Sequence, residues 1–295
     1  EELLLQVRRA YYALPLASAR IVAVRQGLAA TERAVAQASS LEREGLVSRV
    51  DVLQARVREA EIRAELAEAE ADFIAAEAAL RRVLGMRDEV AFTATDRIPE
   101  PSAVPSVEEA RQAAVDRIDV RALSAGVDAA RAGVGREQAA LLPRLNAFGT
   151  YERSDDQPFG GRGSDRTIGV SLSWVPFDGM AQVGRIRAAQ ATVEREEARL
   201  QALRQQVDLE VRTAYARLGA ARLRREQAEQ AVSHAREAHR IAATRYRNNL
   251  APITELLTAQ AAETAAATRL EAARYDVVIA EGAYRLAAGL DLREK

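Results

Sequence analysis

The chain has 295 residues, 42 of them basic and 43 acidic, for a formal net charge of −1; 48% of it is hydrophobic, only 4% aromatic, and it contains no cysteine. A globular domain of this length fills its core with large side chains, so a composition rich in Ala, Leu, Glu, Gln and Arg points instead to an elongated helical protein. The missing cysteines exclude a disulfide scaffold, a thiolate metal site and a cysteine nucleophile, and acids interspersed with the arginines throughout argue against a nucleic-acid surface.

Residues 1–86 read as a helical hairpin because they repeat residues 205–290. A shift of 204 positions brings the two ends into line without a gap. Ala10-Tyr11 falls on Ala214-Tyr215, Leu46 on Leu250, Leu53 on Leu257, Asp72 on Asp276 and Gly85 on Gly289. The chain therefore reads as one whole repeat preceded by the tail of another. Residues 1–44 and 49–84 are the two arms of the first hairpin, turning at Gly45, and Gly85 closes it as a helix C-terminal glycine. Charges come early and often in residues 1–20, so no secretory signal is read there. Glu1 reads as an interior point of a longer protein.

Residues 87–105 hold Pro99, Pro101 and Pro105 and read as an extended connector. Ser106 and Glu109 form a capping box, which predicts a helix over 106–142 that Pro143 ends. Over 144–176 the period changes from helical to alternating. Leu145, Ala147, Gly149 and Tyr151 share one face of a first strand. Ile168, Val170, Leu172 and Trp174 alternate with Gly169, Ser171 and Ser173 in a second. A polar loop over 154–163 joins them.

From Asp178 the helical period returns. Ile186, Val193, Leu200, Val207, Ala214, Ala221, Ala228, Ala235 and Ala242 recur every seventh residue, which marks a supercoiled seam. A helix to Tyr246 would be about 100 Å long. Asn248-Asn249 and Pro252 interrupt it, and a return helix follows, with its own row of Ala259, Ala266, Ala273, Ala280 and Ala287. The whole repeat's hairpin thus covers 177–289, and 290–295 form a tail. The fold class is mainly α, with long antiparallel coiled-coil hairpins and one short β-hairpin.

These residues resemble the outer-membrane efflux proteins typified by TolC. The most specific match is Ser171-Leu172-Ser173-Trp174-Val175-Pro176-Phe177-Asp178-Gly179, which leads from strand to long helix. Arg117-Ile118-Asp119-Val120 and Ala140-Leu141-Leu142-Pro143 match before the first strand. Gly45-Leu46 with Asp51-Val52-Leu53 and Asn249-Leu250 with Glu255-Leu256-Leu257 match at the hairpin turns. The resemblance implies a homotrimer with four strands per protomer in a shared outer-membrane β-barrel, continued by a hollow helical cylinder across the periplasm. It implies a periplasmic adaptor (membrane fusion) protein and an inner-membrane transporter as partners; the residues themselves offer no nucleophile–base pair, carboxylate dyad or metal cluster, so no enzyme, cofactor or metal site is expected. Against it, this chain begins inside a helix and lacks half of the expected barrel strands.

The same resemblance assigns residues. Asp51 and Glu255 are equivalent acids expected to ring a periplasmic gate and favour cations. Their local alternative is helix capping in the first turn. Gly45, Leu46, Val47, Asn249, Leu250 and Ala251 occupy the tips, as turn chemistry or as docking points for the adaptor. Ile168, Val170, Leu172 and Trp174 suit a lipid-facing strand, with Gly and Ser toward a wet lumen. His234 and His239 are five apart, too far round a helix for a shared metal, and read as surface residues. Gly133-Val134-Gly135 lacks the context of a phosphate-binding turn. Arg8 and Arg212 are expected to form ion pairs between helices. The function predicted is a passive, gated outer-membrane exit duct of a tripartite efflux or type I secretion system; the alternative is a soluble coiled-coil scaffold with a small β-hairpin.

Overall fold

A computed structural model of the chain describes residues 2–86, 98–99, 103–155 and 162–290. Most of the expected connector, the centre of the 154–163 loop and most of the tail lie outside the described residues. The elements are α1 (Glu2–Arg43), α2 (Arg49–Leu84), α3 (Val107–Ala113), a 3-10 turn (Ala114–Asp116), α4 (Ile118–Ala139), β1 (Arg144–Asp155), β2 (Arg162–Ser173), α5 (Ala181–Arg247) and α6 (Ile253–Ala287). They fall into two compact units, residues 1–114 with 208–295, and residues 115–207.

In the first unit α1 packs against both α2 and α6. Ala17, Val24, Thr31 and Ala38 of α1 are buried and recur every seventh residue. The row Ala55, Ile62 and Ala69 does the same in α2. Small side chains here let the helices approach closely. The expected row on α5 is its inward side, each member buried or half-buried. A second row that periodicity did not single out, Val211, Leu218, Val232 and Tyr246, is buried beside it. Together they make the two-position seam of a coiled coil.

The start of α3 is held as its sequence predicts. Ser106 N–H donates to Glu109 at 2.7 Å, and Glu109 N–H donates to the Ser106 hydroxyl at 3.3 Å. The Ser106 N–H first, and then the Ser106 hydroxyl 2.9 Å from the carboxylate, hold the Glu109 carboxyl below its ordinary range. Tyr284, fully buried in α6, donates its hydroxyl to the carbonyls of Pro105 and Ser106 at 3.0 Å.

The single helix expected over 106–142 is broken. The 3-10 turn ends α3, and Arg117, at φ −55° and ψ 144°, restarts the chain as the N-cap of α4. Asp119 explains the restart. It takes the Arg117 guanidinium at 2.7 Å and the Val120 N–H at 2.9 Å, and the Arg117 bond holds its carboxyl below the usual range.

In the second unit β1 and β2 form an antiparallel pair of 12 residues each. Its register sets Leu145 opposite Leu172, Ala147 opposite Val170 and Gly149 opposite Ile168, so the apolar residues share one face. On the other face Phe148 lies over Gly169, where an added Cβ would stand 2.6 Å from the ring. Trp174 lies one residue beyond β2, and its indole N–H donates to the Leu141 carbonyl at 3.1 Å, tying the strand's end to the end of α4. The long helix begins at Ala181, later than the return of period at Asp178. Gly179 and Met180 both adopt left-handed φ of about 70°, and Asp178 caps the helix. Its carboxyl is held low first by the Gln182 N–H and then by Arg185, whose Nη2 stands 2.6 Å away.

Candidate functional site at the hairpin tips

The two tips are built alike. In the first, Gly45 at φ 74° donates to Glu42 O at 2.9 Å, and Leu46 donates to Leu41 O at 2.9 Å. In the second, Asn249 at φ 55° donates to Tyr246 O at 3.0 Å, and Leu250 donates to Arg245 O at 2.8 Å. Both are Schellman closures with the left-handed residue that such a turn requires. Gly85 and Gly289 repeat the closure at the far ends of α2 and α6. The 204-residue repeat is therefore a repeat of hydrogen bonds as well as of letters. Each tip raises one leucine into solvent, Leu46 at 54% exposure and Leu250 at 67%, while Val47 and Ala251 are half-buried beneath them.

The two acids are held differently. Asp51 accepts the Ser48 N–H at 3.1 Å and so serves as the cap of α2. Glu255 does not cap: it forms an ion pair with Arg245 from the last turns of α5, and Arg245 also donates to the Leu250 carbonyl at 3.3 Å. At the position equivalent to Arg245 the first repeat has Leu41.

One cluster gathers both hairpins behind the acids. Ala34, Ala38, Val52, Ala55, Tyr246, Ile253 and Leu256 pack together. Asp51 and Glu255 each directly precede a member of it. Tyr246 is 1% exposed and its hydroxyl has no hydrogen-bond partner among the described residues. Burial pushes its phenol up, and the nearby Asp51 charge adds to that. Sequence reasoning missed Tyr246 and Arg245. A large aromatic at a seam position in an alanine-rich helix was the available signal for the first; nothing local marks the second.

Away from the tips, Ile168, Val170 and Leu172 are 90%, 68% and 70% exposed, and Trp174 is 57% exposed. His234 is exposed, but His239 is half-buried, with Nδ1 2.6 Å from Glu263 of α6, because it lies on the second seam row of α5. Arg212 pairs within its own helix, with Asp208 at 2.9 Å, and Arg8 lies 5.9 Å from the Tyr12 ring centre; among the described residues neither makes the expected pair between helices. Gly133 and Gly135 lie inside α4. Among the described residues, no helix is long and apolar enough to cross a membrane.

Comparison with known proteins agrees with this geometry. The protein CyaE of Bordetella pertussis is 31% identical over 269 residues, 88% of this chain and 56% of that protein. The chain thus spans little more than half of that relative's length. The outer membrane protein VceC of Vibrio cholerae matches with a TM-score of 0.78 at 20% identity, over 99% of this chain and 71% of its own. The open-state MtrE outer membrane channel of Neisseria gonorrhoeae matches with a TM-score of 0.80 at 17% identity, over 98% of this chain and 66% of its own. At such identities the two structures establish the fold. The outer membrane efflux protein model matches residues 1–86 and 110–290; the chain belongs to that family, a family of outer-membrane channels rather than enzymes.

Proposed function

We propose that the chain forms part of a passive exit duct, three copies surrounding one path through the outer membrane and periplasm. The observation that carries this reading is a face left open in one chain. In α6, Thr264, Val278 and Gly282 pack toward α1: Thr264 meets Gly27, and Gly282 meets Leu5 and Arg8. Val278 is 2% exposed and Leu5 is 8% exposed. Their repeat equivalents on α2, Ala60, Ile74 and Ala78, are exposed, Ile74 at 66%, as is Leu209 of α5 at 58%, the equivalent of Leu5. Ala67 and Ala71 complete the apolar stripe on α2. One repeat finds its partner helix inside the chain, and the other needs the α5 of a second copy. A contact between unlike faces, repeated head to tail, closes into a ring.

The exposed strand face supports the membrane end. Four residues of that size and polarity in water would be an aggregation-prone edge, whereas against lipid they are an outward barrel face, with Trp174 near the interface. A soluble scaffold has no use for them. The tips support the other end: Leu46 and Leu250, set by Gly45 and Asn249 above Val47 and Ala251, offer equivalent apolar docking points to a periplasmic adaptor. Energy comes from an inner-membrane transporter, and Asp51 and Glu255 ring the closed end. Glu255 shares its charge with Arg245, so Asp51 contributes more to cation preference.

Single-channel recording tests the gate. Asp51→Ala is expected to lower cation-over-anion selectivity severalfold and Glu255→Ala to lower it less. Unchanged selectivity in both removes the assignment. Leu46→Asp and Leu250→Asp are expected to lose crosslinking to the adaptor; retained crosslinking removes the docking role.

A further inference from the structure

Because α2 and α6 are repeat-equivalent, each has the pattern to lie where the other lies against α1. The face of α1 that meets α6 is built around Gly27. A Cβ there would stand 2.8 Å from Ile62 Cδ1 of α2 and 2.8 Å from Thr264 Oγ1 of α6, so a larger residue would force one of these side chains to shift. The Gly27 carbonyl accepts from Gln260 Nε2 at 2.7 Å and from Thr31 Oγ1 at 3.0 Å. Gln260 also donates to Thr31 Oγ1. Thr31 is fully buried and Gln260 is 4% exposed. The hydroxyl therefore donates to Gly27 and accepts from Gln260. Turning the amide over would set oxygen against oxygen, so its orientation is fixed. Gln260 Oε1 is left buried with no hydrogen-bond partner among the described residues.

A buried acceptor without a partner lowers stability relative to a leucine of similar size. Polar groups held in coiled-coil seams at such a cost are best attested as setters of register and partner. The rest of the repeat agrees. At the position of Gln260, α2 has Arg56, exposed; at the positions of Gly27 and Thr31, α5 has Ala231 and Ala235. Neither half of the arrangement recurs in the other repeat. We propose that Gln260, Gly27 and Thr31 form a pairing pin that makes α1 take the α6 of its own chain and refuse the α2 of another copy. Arg56 in place of Gln260 would press a longer, charged side chain into the glycine notch, whereas against Ala231 and Ala235 of α5 there is no notch to fill and no polar pair to complete. The competition among copies rests on the assembly proposed above; the contact itself lies within one chain.

The chain has no cysteine, so engineered thiols report pairing directly. Leu5→Cys with Gly282→Cys reads α1 on α6, and Leu5→Cys with Ala78→Cys reads α1 on the α2 of another copy. In the full chain, purified in detergent and oxidised, the first pair is expected to link within one chain and the second not at all. The exchange Gln260→Arg with Arg56→Gln is expected to remove most of the first link and to raise the second as a species of twice the mass. Gln260→Leu covers the case in which that exchange does not fold: its thermal midpoint is expected to equal or exceed that of the parent while some 5–78 links between chains appear. Intrachain 5–282 linkage at parental yield in either folded variant, with no 5–78 product, would overturn the pin. A failure of the assembly reading looks different: the parent would run as single chains in detergent, with its 5–282 link intact.

Discussion

The two hairpins share one repeat pattern and live in different surroundings. Val278 on α6 is 2% exposed, and its equivalent Ile74 on α2 is 66% exposed. Asn249 and Gly45 close their tips with the same bonds, yet Glu255 is tied to Arg245 while Asp51 caps a helix. The lesson is that a repeated amphipathic pattern specifies which faces are sticky, while the surroundings of each copy decide which of them is covered within the chain. The second hairpin is finished within the chain. The first keeps its equivalent face exposed in the single chain, with Ile74 at 66% and Leu209 at 58%.

The sharpest way to break this comparison is to place a charge on both equivalent positions. Val278→Asp buries a carboxylate without a partner and is expected to lower the stability of the chain by about 3–5 kcal/mol in denaturant unfolding. Ile74→Asp is expected to shift single-chain stability by less than about 0.5 kcal/mol while abolishing assembly in light scattering. Equal destabilisation by the two would erase the distinction.

The tips give smaller effects. Gly45→Ala places a Cβ on a left-handed residue and is expected to cost about 1–2 kcal/mol, whereas Asn249→Gly relieves a milder strain and gains a few tenths, read in the same unfolding experiment. Between the hairpins, Tyr246→Phe removes a buried hydroxyl that has no hydrogen-bond partner among the described residues. It is expected to be neutral or to stabilise by about 1 kcal/mol; a marked loss of stability would mean that the hydroxyl has a partner. Arg245→Ala exposes the smallest difference. Its pair with Glu255 is more than a third exposed on both sides, so the loss is expected below about 1 kcal/mol and to shrink with added salt.

In the second unit, the Asp119 carboxyl is held below its ordinary range by Arg117. A depressed acid stabilises the folded state above its unfolded pKa and loses that contribution as pH falls through the folded one. The start of α4 is therefore expected to loosen only in acid, below the usual range of aspartate, and Asp119→Asn is expected to remove that acid-dependent step from hydrogen exchange.

Much of this was legible in the sequence because it is local or periodic. The left-handed turn residues Gly45 and Asn249, the Ser106–Glu109 box, the seven-residue rows and the alternation from Ile168 to Leu172 each depend on neighbours within a few residues. What escaped is carried by contacts far apart in the chain or by two periods at once. The break before α4 comes from Arg117 turning back on Asp119, which a helical pattern running through both cannot show. The seat of Tyr246 depends on Val52 and Ala34 of the other hairpin. Gln260 reads as an ordinary polar residue until Gly27, 233 positions away, supplies its acceptor. Met180 adopts a left-handed backbone at φ 72° that nothing in its side chain announces.

The central claim is that the open face of α2 meets the α5 of a neighbouring copy, in the way that α6 meets α1. By the repeat, the contact of Gly282 with Leu5 becomes one of Ala78 with Leu209. Oxidation of the full chain carrying Ala78→Cys and Leu209→Cys, followed by a denaturing gel, reads this directly. The account predicts links between chains that build two- and three-chain species. Efficient linkage confined to single chains, or none in a protein whose 5–282 pair still links, would contradict it.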